Sequence, residues 1–168
     1  MAIEDDEHRA AVQHLFYGHK SIPLTANLEL CWKAVKSVAV GDGVVSEGER
    51  LCLLGLMCAT LTPPEVVERV LEWDEHSAKP SVLLGELEQP PEYRRGTGAW
   101  IVYTGLVVAM ADGLSPGELE RICSVAMTMD VDPEVVYALH RITVEESVLR
   151  QRRIDALAGR VLAPHFGA

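Results

Sequence analysis

The chain has 168 residues, of which 48% are hydrophobic and 24% charged, a composition typical of one folded domain with a sizeable core. Its net charge of −10 argues against nonspecific binding to nucleic acid, which requires a basic surface. The acidic start MAIEDDEHRA lacks a secretory signal pattern, and the most apolar window, AWIVYTGLVVAMA, is too short to span a bilayer. We therefore expect a cytoplasmic protein without a transmembrane segment, whose four cysteines stay reduced.

The first half of the chain is predicted to be helical. Apolar residues recur there at helical spacing, as Leu30, Ala34 and Val38 do. Pro64 suits a first helical turn, where its missing N–H would have no intrahelical partner. The predicted helices cover residues 4–17, 27–41, 47–60, 64–76 and 80–88. The next stretch, QPPEYRRGTG at residues 89–98, is predicted to be a linker because it is rich in Pro and Gly.

The second half is predicted to follow the same course. Residues 99–111 are so apolar that periodicity alone does not separate a buried helix from a buried strand. The matching segment of the first half, LELCWKAVKSVAV, carries lysines at positions that suit a helix face, which favours helix here too. Further helices are predicted at residues 116–128, from the N-cap Asp132 onward, and at 144–162. The last of these is amphipathic and rich in arginine. The expected fold is an all-α single-domain bundle of about seven to nine helices.

One pattern occurs twice in the chain. VAVGDGVVSEGERL at residues 38–51 and VAMADGLSPGELER at residues 108–121 each join an apolar run to Asp-Gly, Ser-x-x-Glu and a second apolar run. Ser46 and Ser115 are 69 residues apart, and so are Pro64 and Pro133. This spacing predicts a duplicated helical unit with pseudo-two-fold symmetry. The single domain, 1–168, would then comprise the N-terminal helix and two similar halves at about residues 27–88 and 98–162.

Helix ends explain most of the repeated motif. In a capping box, a serine side chain accepts a hydrogen bond from the backbone N–H three residues later, and the glutamate there reaches back to the serine N–H. Ser46 with Glu49 and Ser115 with Glu118 have this spacing. Gly43 and Gly113 suit the left-handed residue that ends the preceding helix.

The two aspartates of the motif need a further explanation. Asp42 and Asp112 fall in the last turn of a predicted helix, where the helix dipole disfavours negative charge. Their partner could be the N–H groups of the following helix, which is a structural role, or a cation shared with the glutamate of the next first turn. The loop is not an EF-hand, because the third position holds Val44 or Leu114 where an oxygen ligand is needed. Carboxylates would favour Ca²⁺ or Mg²⁺ over a soft metal.

The two segments ADGLSPGELERICSVAMTMDVDPEVV and GDGVVSEGERLCLLGLMCATLTPPEVV resemble the TerB-like family, named for the tellurite-resistance protein TerB. The resemblance covers roughly residues 27–141. It implies an all-helical fold with two similar halves and a metal ion chelated by acidic residues. It implies Asp42 and Glu49 as metal ligands in the first half, and Asp112 and Glu118 in the second. The second motif is one residue shorter than the first, which changes how Glu118 would face Asp112.

The sequence thus favours a binding protein over an enzyme. The expected function is binding of a divalent cation, Ca²⁺ or Mg²⁺, and/or a protein partner through the acidic inter-helix loops, in a stress-response assembly of the tellurite-resistance kind. Self-association into a homo-oligomer is left open. The alternative is an enzyme, or an enzyme partner, that encloses a small organic ligand in the bundle and uses those acids, His14 or His140 as acid–base groups. Trp32 and Trp100, at nearly matching places in the two halves, would pack in the core or line that cavity.

Overall fold

The computed structural model describes residues 11, 25–40, 45–89 and 91–158. Within these residues the chain forms seven helices and no strand, so the predicted all-α fold is confirmed. The helices are α1 (Thr25–Ala39), α2 (Glu47–Ala59), α3 (Pro64–Glu72), α4 (Pro80–Gly85), α5 (Pro91–Ala109), α6 (Pro116–Met127) and α7 (Pro133–Leu157). None of these helices is long and apolar enough to cross a membrane. The predicted helix at 4–17 lies outside the described residues, apart from residue 11.

The linker predicted at residues 89–98 is wrong, because most of this stretch forms the first turns of α5. One of its two glycines, Gly98, has a packing role instead. Gly98 is buried, and a Cβ added there would lie 3.1 Å from the backbone oxygen of Met129 and 3.6 Å from a methyl group of Leu84. A small residue therefore allows α5 to approach the turn after α6 closely.

Two predicted helix boundaries also differ from the structure. The two helices expected from Asp132 onward are a single helix, α7, because residues 134–157 contain neither Gly nor Pro to stop it. In contrast, α3 ends at Glu72 and not at residue 76. A turn follows it, in which the carboxylate of Asp74 accepts a hydrogen bond from the N–H of His76 at 3.0 Å.

The core is centred on α1 and α5, which lie side by side and run in the same direction. Trp32 of α1 meets Trp100 of α5 edge to face, with ring centroids 5.4 Å apart. Towards the other end, a Cβ added at Gly105 would lie 2.5 Å from a methyl group of Val38, so glycine allows close contact of the two helices. Helices from both halves contribute to this core. Its fully buried large side chains include Leu28, Val35, Leu53, Met57, Val66, Val70, Ile101, Leu106 and Ile122.

Candidate functional site

The repeated motif builds two helix starts, as the sequence predicts. At the start of α2, Ser46 Oγ accepts a hydrogen bond from the Glu49 N–H at 3.0 Å, and Glu49 Oε2 accepts one from the Ser46 N–H at 2.8 Å. At the start of α6, Ser115 Oγ accepts from the Glu118 N–H at 3.3 Å, and Glu118 Oε2 accepts from the Ser115 N–H at 2.6 Å. Both capping boxes are therefore complete, and each glutamate keeps one carboxylate oxygen free of this bond.

Asp112 links the two motifs. It follows α5, and Gly113 after it has a φ of 99°, the left-handed conformation expected of the residue that ends a helix. The Asp112 side chain does not turn to α6, the helix that follows. Its Oδ2 accepts a hydrogen bond from Ser46 Oγ, and its carboxylate lies so close to Gly48 that a Cβ there would overlap Oδ1. Asp112 thus occupies the N-terminal end of α2, where the helix dipole favours negative charge.

This contact joins the second half of the chain to the first, and sequence reasoning did not find it. Both partners considered for the aspartate lay within its own motif. The signal that could have indicated the contact is the glycine between Ser46 and Glu49. Gly48 stands in the first turn of α2, where nothing in the backbone requires glycine, and the close approach of Asp112 explains it.

The carboxylates of Asp112 and Glu118 act electrostatically on that of Glu49. Partial burial raises the pKa of Glu49, hydrogen bonds from Ser46 oppose this shift, and the negative charges of Asp112 and Glu118 add to it. The pKa of Glu118 is lowered instead, chiefly by the hydrogen bond from the Ser115 N–H. The pKa values of the two equivalent glutamates therefore shift in opposite directions, although both side chains are partly exposed. We call the group formed by Ser46, Glu49, Asp112 and Glu118 the acidic corner.

Of the four metal ligands predicted from the sequence, three lie in the described part of the chain. Asp42 lies among residues 41–44, outside the described part of the chain. Glu49, Asp112 and Glu118 are brought into mutual electrostatic range, but across the two motifs and not as separate pairs. Among the described residues, no three His, Cys, Asp or Glu side chains stand close enough together to hold a metal ion. The described acids therefore do not form a closed cage of protein ligands.

A cleft elsewhere bears on the alternative of an enclosed organic ligand. It has a volume of about 310 Å³ and is open to solvent. Two cations, Arg94 and Arg95, and the carboxylate of Asp130 line it, together with Ser81, Leu84, Gly85, Thr128 and Met129. The acids of the motifs and His140 are not among its lining residues, and His14 lies outside the described part of the chain.

The two tryptophans pack as part of the bundle. Trp32 is fully buried, and its Nε1 donates a hydrogen bond to Thr62 Oγ1 at 3.0 Å. Its ring rests on that of Trp100 at an interplanar angle of 71°, the edge-to-face arrangement that aromatic pairs favour. The pair fills the space between α1 and α5.

The fold and the acidic corner define an all-α bundle with two capped helix starts joined by an aspartate. This is the fold of a solved tellurite resistance protein from Nostoc punctiforme PCC 73102, which superposes with a TM-score of 0.81. The two chains are 23% identical, and the superposition covers 98% of this chain and 100% of the other. No protein-family model and no curated protein matches the sequence. The neighbour agrees with the resemblance carried by the repeated motif, and at this identity it establishes the fold.

Proposed function

We propose that the acidic corner binds a divalent cation and that the cation-loaded corner is a docking surface for a protein partner. The observation that carries this proposal is that Asp112 of the second motif lies beside Ser46 and Gly48 at the start of α2. There its negative charge, with that of Glu118, helps to raise the pKa of Glu49 of the first motif. Carboxylates placed so that one raises the pKa of another lose free energy when all are ionised. A bound cation would remove that repulsion.

The donor set favours Mg²⁺, with Ca²⁺ as the second choice. The corner offers carboxylate oxygens and one serine hydroxyl, the hard oxygen ligands that both ions prefer. Mg²⁺ commonly binds through one or two carboxylates and keeps several waters, which suits a site without three close protein ligands among the described residues. In this proposal Asp112 and Glu49 hold the hydrated ion and Glu118 adds charge, while Asp42 stays a ligand predicted from the sequence alone.

The role of Ser46 follows from its hydrogen bonds. Its hydroxyl accepts from the Glu49 N–H and donates to Asp112, so one side chain fixes the start of α2 and the position of Asp112 together. A change of charge at Asp112, such as neutralisation by a bound cation, would therefore alter the hydrogen bonds in the first turn of α2. A partner that contacts this turn would sense whether the cation is bound.

The structural neighbour suggests the setting of this binding. That protein is described as a tellurite resistance protein. We propose that this chain acts in a stress response of the tellurite-resistance kind, as a binding component rather than an enzyme. The four cysteines are all free, which agrees with a reducing compartment such as the cytoplasm.

Thermal unfolding with Mg²⁺, Ca²⁺, Mn²⁺, Zn²⁺ or EDTA tests the cation proposal. A ligand that binds only the folded state at about 100 times its Kd stabilises a chain of this size by about 2.7 kcal/mol, or roughly 5–10 °C in Tm. We expect such a rise for wild type with Mg²⁺. Asp112→Asn keeps an oxygen that accepts from Ser46 but removes the charge, so its Tm should not respond.

Asp132→Asn is the matched control. Asp132 is an exposed residue at the start of α7 whose side chain makes no capping hydrogen bond. The same Asp-to-Asn change there should leave the Mg²⁺ response intact. If wild type and both variants show the same Tm with Mg²⁺ as with EDTA, the acidic corner is only a pair of helix caps and the proposal fails.

A further inference from the structure

The second half ends in a helix that leaves part of its surface uncovered. After residue 141, α7 continues for four more turns to Leu157. Ile142, Glu145, Leu149, Arg152 and Ala156 follow one another at intervals of three and four residues, the spacing of a helix contact seam. All five are exposed, with Leu149 at 61%. We call this set, with the adjacent Val148, the outer face of α7.

The opposite side of α7 is already occupied. Val136 and Thr143 are buried on it, and Glu146 accepts a hydrogen bond from the hydroxyl of Tyr103 in α5 at 2.6 Å. In contrast, neither Glu145 nor Arg152 makes an ion pair with any described residue. The helix therefore uses one side to pack on the bundle and presents exposed apolar and unpaired charged groups on the other.

The charges of the outer face are self-complementary. Glu145 and Arg152 lie at equal distances, about 5 Å along the axis, on either side of the midpoint between Val148 and Leu149. If two copies of α7 pair antiparallel about a two-fold axis at that midpoint, Glu145 of each copy lies opposite Arg152 of the other. The apolar side chains of Val148 and Leu149 then meet at the centre. A parallel pairing would instead bring like charges together.

From this pattern we infer that the outer face of α7 is a self-association site at which two copies of the chain pair antiparallel. An isologous contact of this kind is the commonest arrangement in homodimers. The chain has a net charge of −10, which opposes association in general, but residues 141–156 carry more arginines than acids. The face is one fifteen-residue helix segment of about 22 Å, so the dimer should be reversible rather than permanent. This site is separate from the acidic corner and does not depend on the proposed cation.

Sedimentation velocity with a charge exchange tests the inference. Wild type should show a mass that rises with concentration from 18.4 kDa towards twice that value. Glu145→Arg places Arg opposite Arg, and Arg152→Glu places Glu opposite Glu, so each variant alone should sediment as a monomer. An equimolar mixture of the two variants restores opposite charges at both contacts, and it should recover the dimer.

Glu68→Arg is the control, because Glu68 is an exposed acid on α3, and it should leave the wild-type mass unchanged. A wild type that stays monomeric at every concentration overturns the inference. So does a dimer that persists in both single variants, since it would form through another surface. A mixture that stays monomeric also overturns it, because two folded variants with exchanged charges would then fail to recognise each other.

Discussion

The two halves of the molecule begin their third helix in the same way and end it differently. Pro64 opens α3 and Pro133 opens α7, and the two residues are 69 positions apart. However, α3 ends after nine residues, whereas α7 continues for 25. The first half therefore turns back into the bundle after α3, whereas α7 extends beyond the corresponding point.

A buried lysine accounts for the end of α3. The amino group of Lys36, on α1, donates hydrogen bonds to the backbone oxygens of Val70, Leu71 and Trp73 at 3.3, 3.0 and 2.5 Å. It also lies 3.2 Å from the carboxylate of Glu75. These carbonyls at the end of α3 have no partner in their own helix, so the cation satisfies them and fixes the turn.

The matching position of α5 holds no such cation. Thr104 stands 68 residues after Lys36, the same interval that separates Trp32 from Trp100. Its hydroxyl is buried and has no hydrogen-bond partner among the described residues. The comparison teaches that the matching position of the central helix holds a buried cation where the third helix ends early and an uncharged threonine where the third helix continues.

The largest effect should come from removing the cation of the first half. Lys36→Met leaves the carboxylate of Glu75 and three carbonyls without their partner, and loss of one member of a buried pair costs about 3–5 kcal/mol. Urea unfolding should show this loss. Lys33→Met, which removes a more exposed pair with Glu29, should cost less than about 1 kcal/mol. Equal losses in the two variants would contradict the assignment.

A second prediction concerns the contact between the halves. In Gly48→Ala the new methyl group displaces Asp112 from Ser46, and we expect a loss of about 1–2 kcal/mol. Gly117 holds the same place in α6, and no described residue lies within 4 Å of a Cβ there. Gly117→Ala should therefore gain up to about 1 kcal/mol from its better helix propensity. If both variants gain equally in denaturant unfolding, Asp112 does not hold the start of α2.

A third prediction exploits the missing partner of Thr104. Thr104→Val keeps the shape of the side chain and removes its buried hydroxyl, which has no hydrogen-bond partner among the described residues. A buried hydroxyl left without a partner costs a protein about 1–3 kcal/mol of stability. The variant should be as stable as wild type or up to about 1 kcal/mol more stable. Thr60→Val is the contrast, because the Thr60 hydroxyl donates to Leu56 O or Met57 O and lies 3.2 Å from Thr62 Oγ1. A larger loss in Thr104→Val than in Thr60→Val would show that the hydroxyl has a partner.

The smallest effects concern pH and the two equivalent glutamates. The pKa of Glu49 is raised above its ordinary value of 4.5, so its contribution to stability is complete below pH 4.5 and is lost as pH rises through the folded-state pKa. The pKa of Glu118 is lowered, so its contribution is present above pH 4.5 and is lost as pH falls through the folded-state pKa. Relative to wild type, Glu49→Gln should therefore gain stability as pH rises from 4 to 7, and Glu118→Gln should lose it.

Both glutamates are partly solvated, so each change should stay below about 1 kcal/mol. Thermal unfolding of wild type and the two variants across this pH range measures the slopes. Slopes of the same sign would contradict a raised pKa at Glu49 beside a lowered one at Glu118.

Local signals in the sequence sufficed for much of the fold. Proline at the first helical position marked α3 and α7, and Ser-x-x-Glu marked the starts of α2 and α6, because these patterns depend on backbone groups a few residues away. The predicted linker was wrong because a glycine in that stretch is required for tertiary packing and does not mark a loop. Gly98 was interpreted as part of a linker, yet it lies inside α5 and faces Met129.

The candidate site was harder to predict than the helices. Its residue types follow from the motif, since Asp112 and Glu49 are the acids that the repeat singles out. The position of these acids relative to each other does not follow from the motif. Asp112 contacts Ser46, which is 66 residues away in sequence, whereas the motif indicates only contacts between near neighbours. In the same way, nothing in the sequence around Lys36 shows that it meets the end of α3.

Calorimetric titration of Mg²⁺ into chelator-treated protein tests most directly whether the two motifs act as one site. Wild type should bind, and Asp112→Asn and Glu49→Gln should each weaken binding by at least about tenfold. The loss in the double variant should be smaller than the sum of the two single losses in binding free energy, because both acids belong to one site. Wild-type affinity in Asp112→Asn together with loss in Glu49→Gln would instead show that each motif binds alone, and would contradict an acidic corner shared by the two halves.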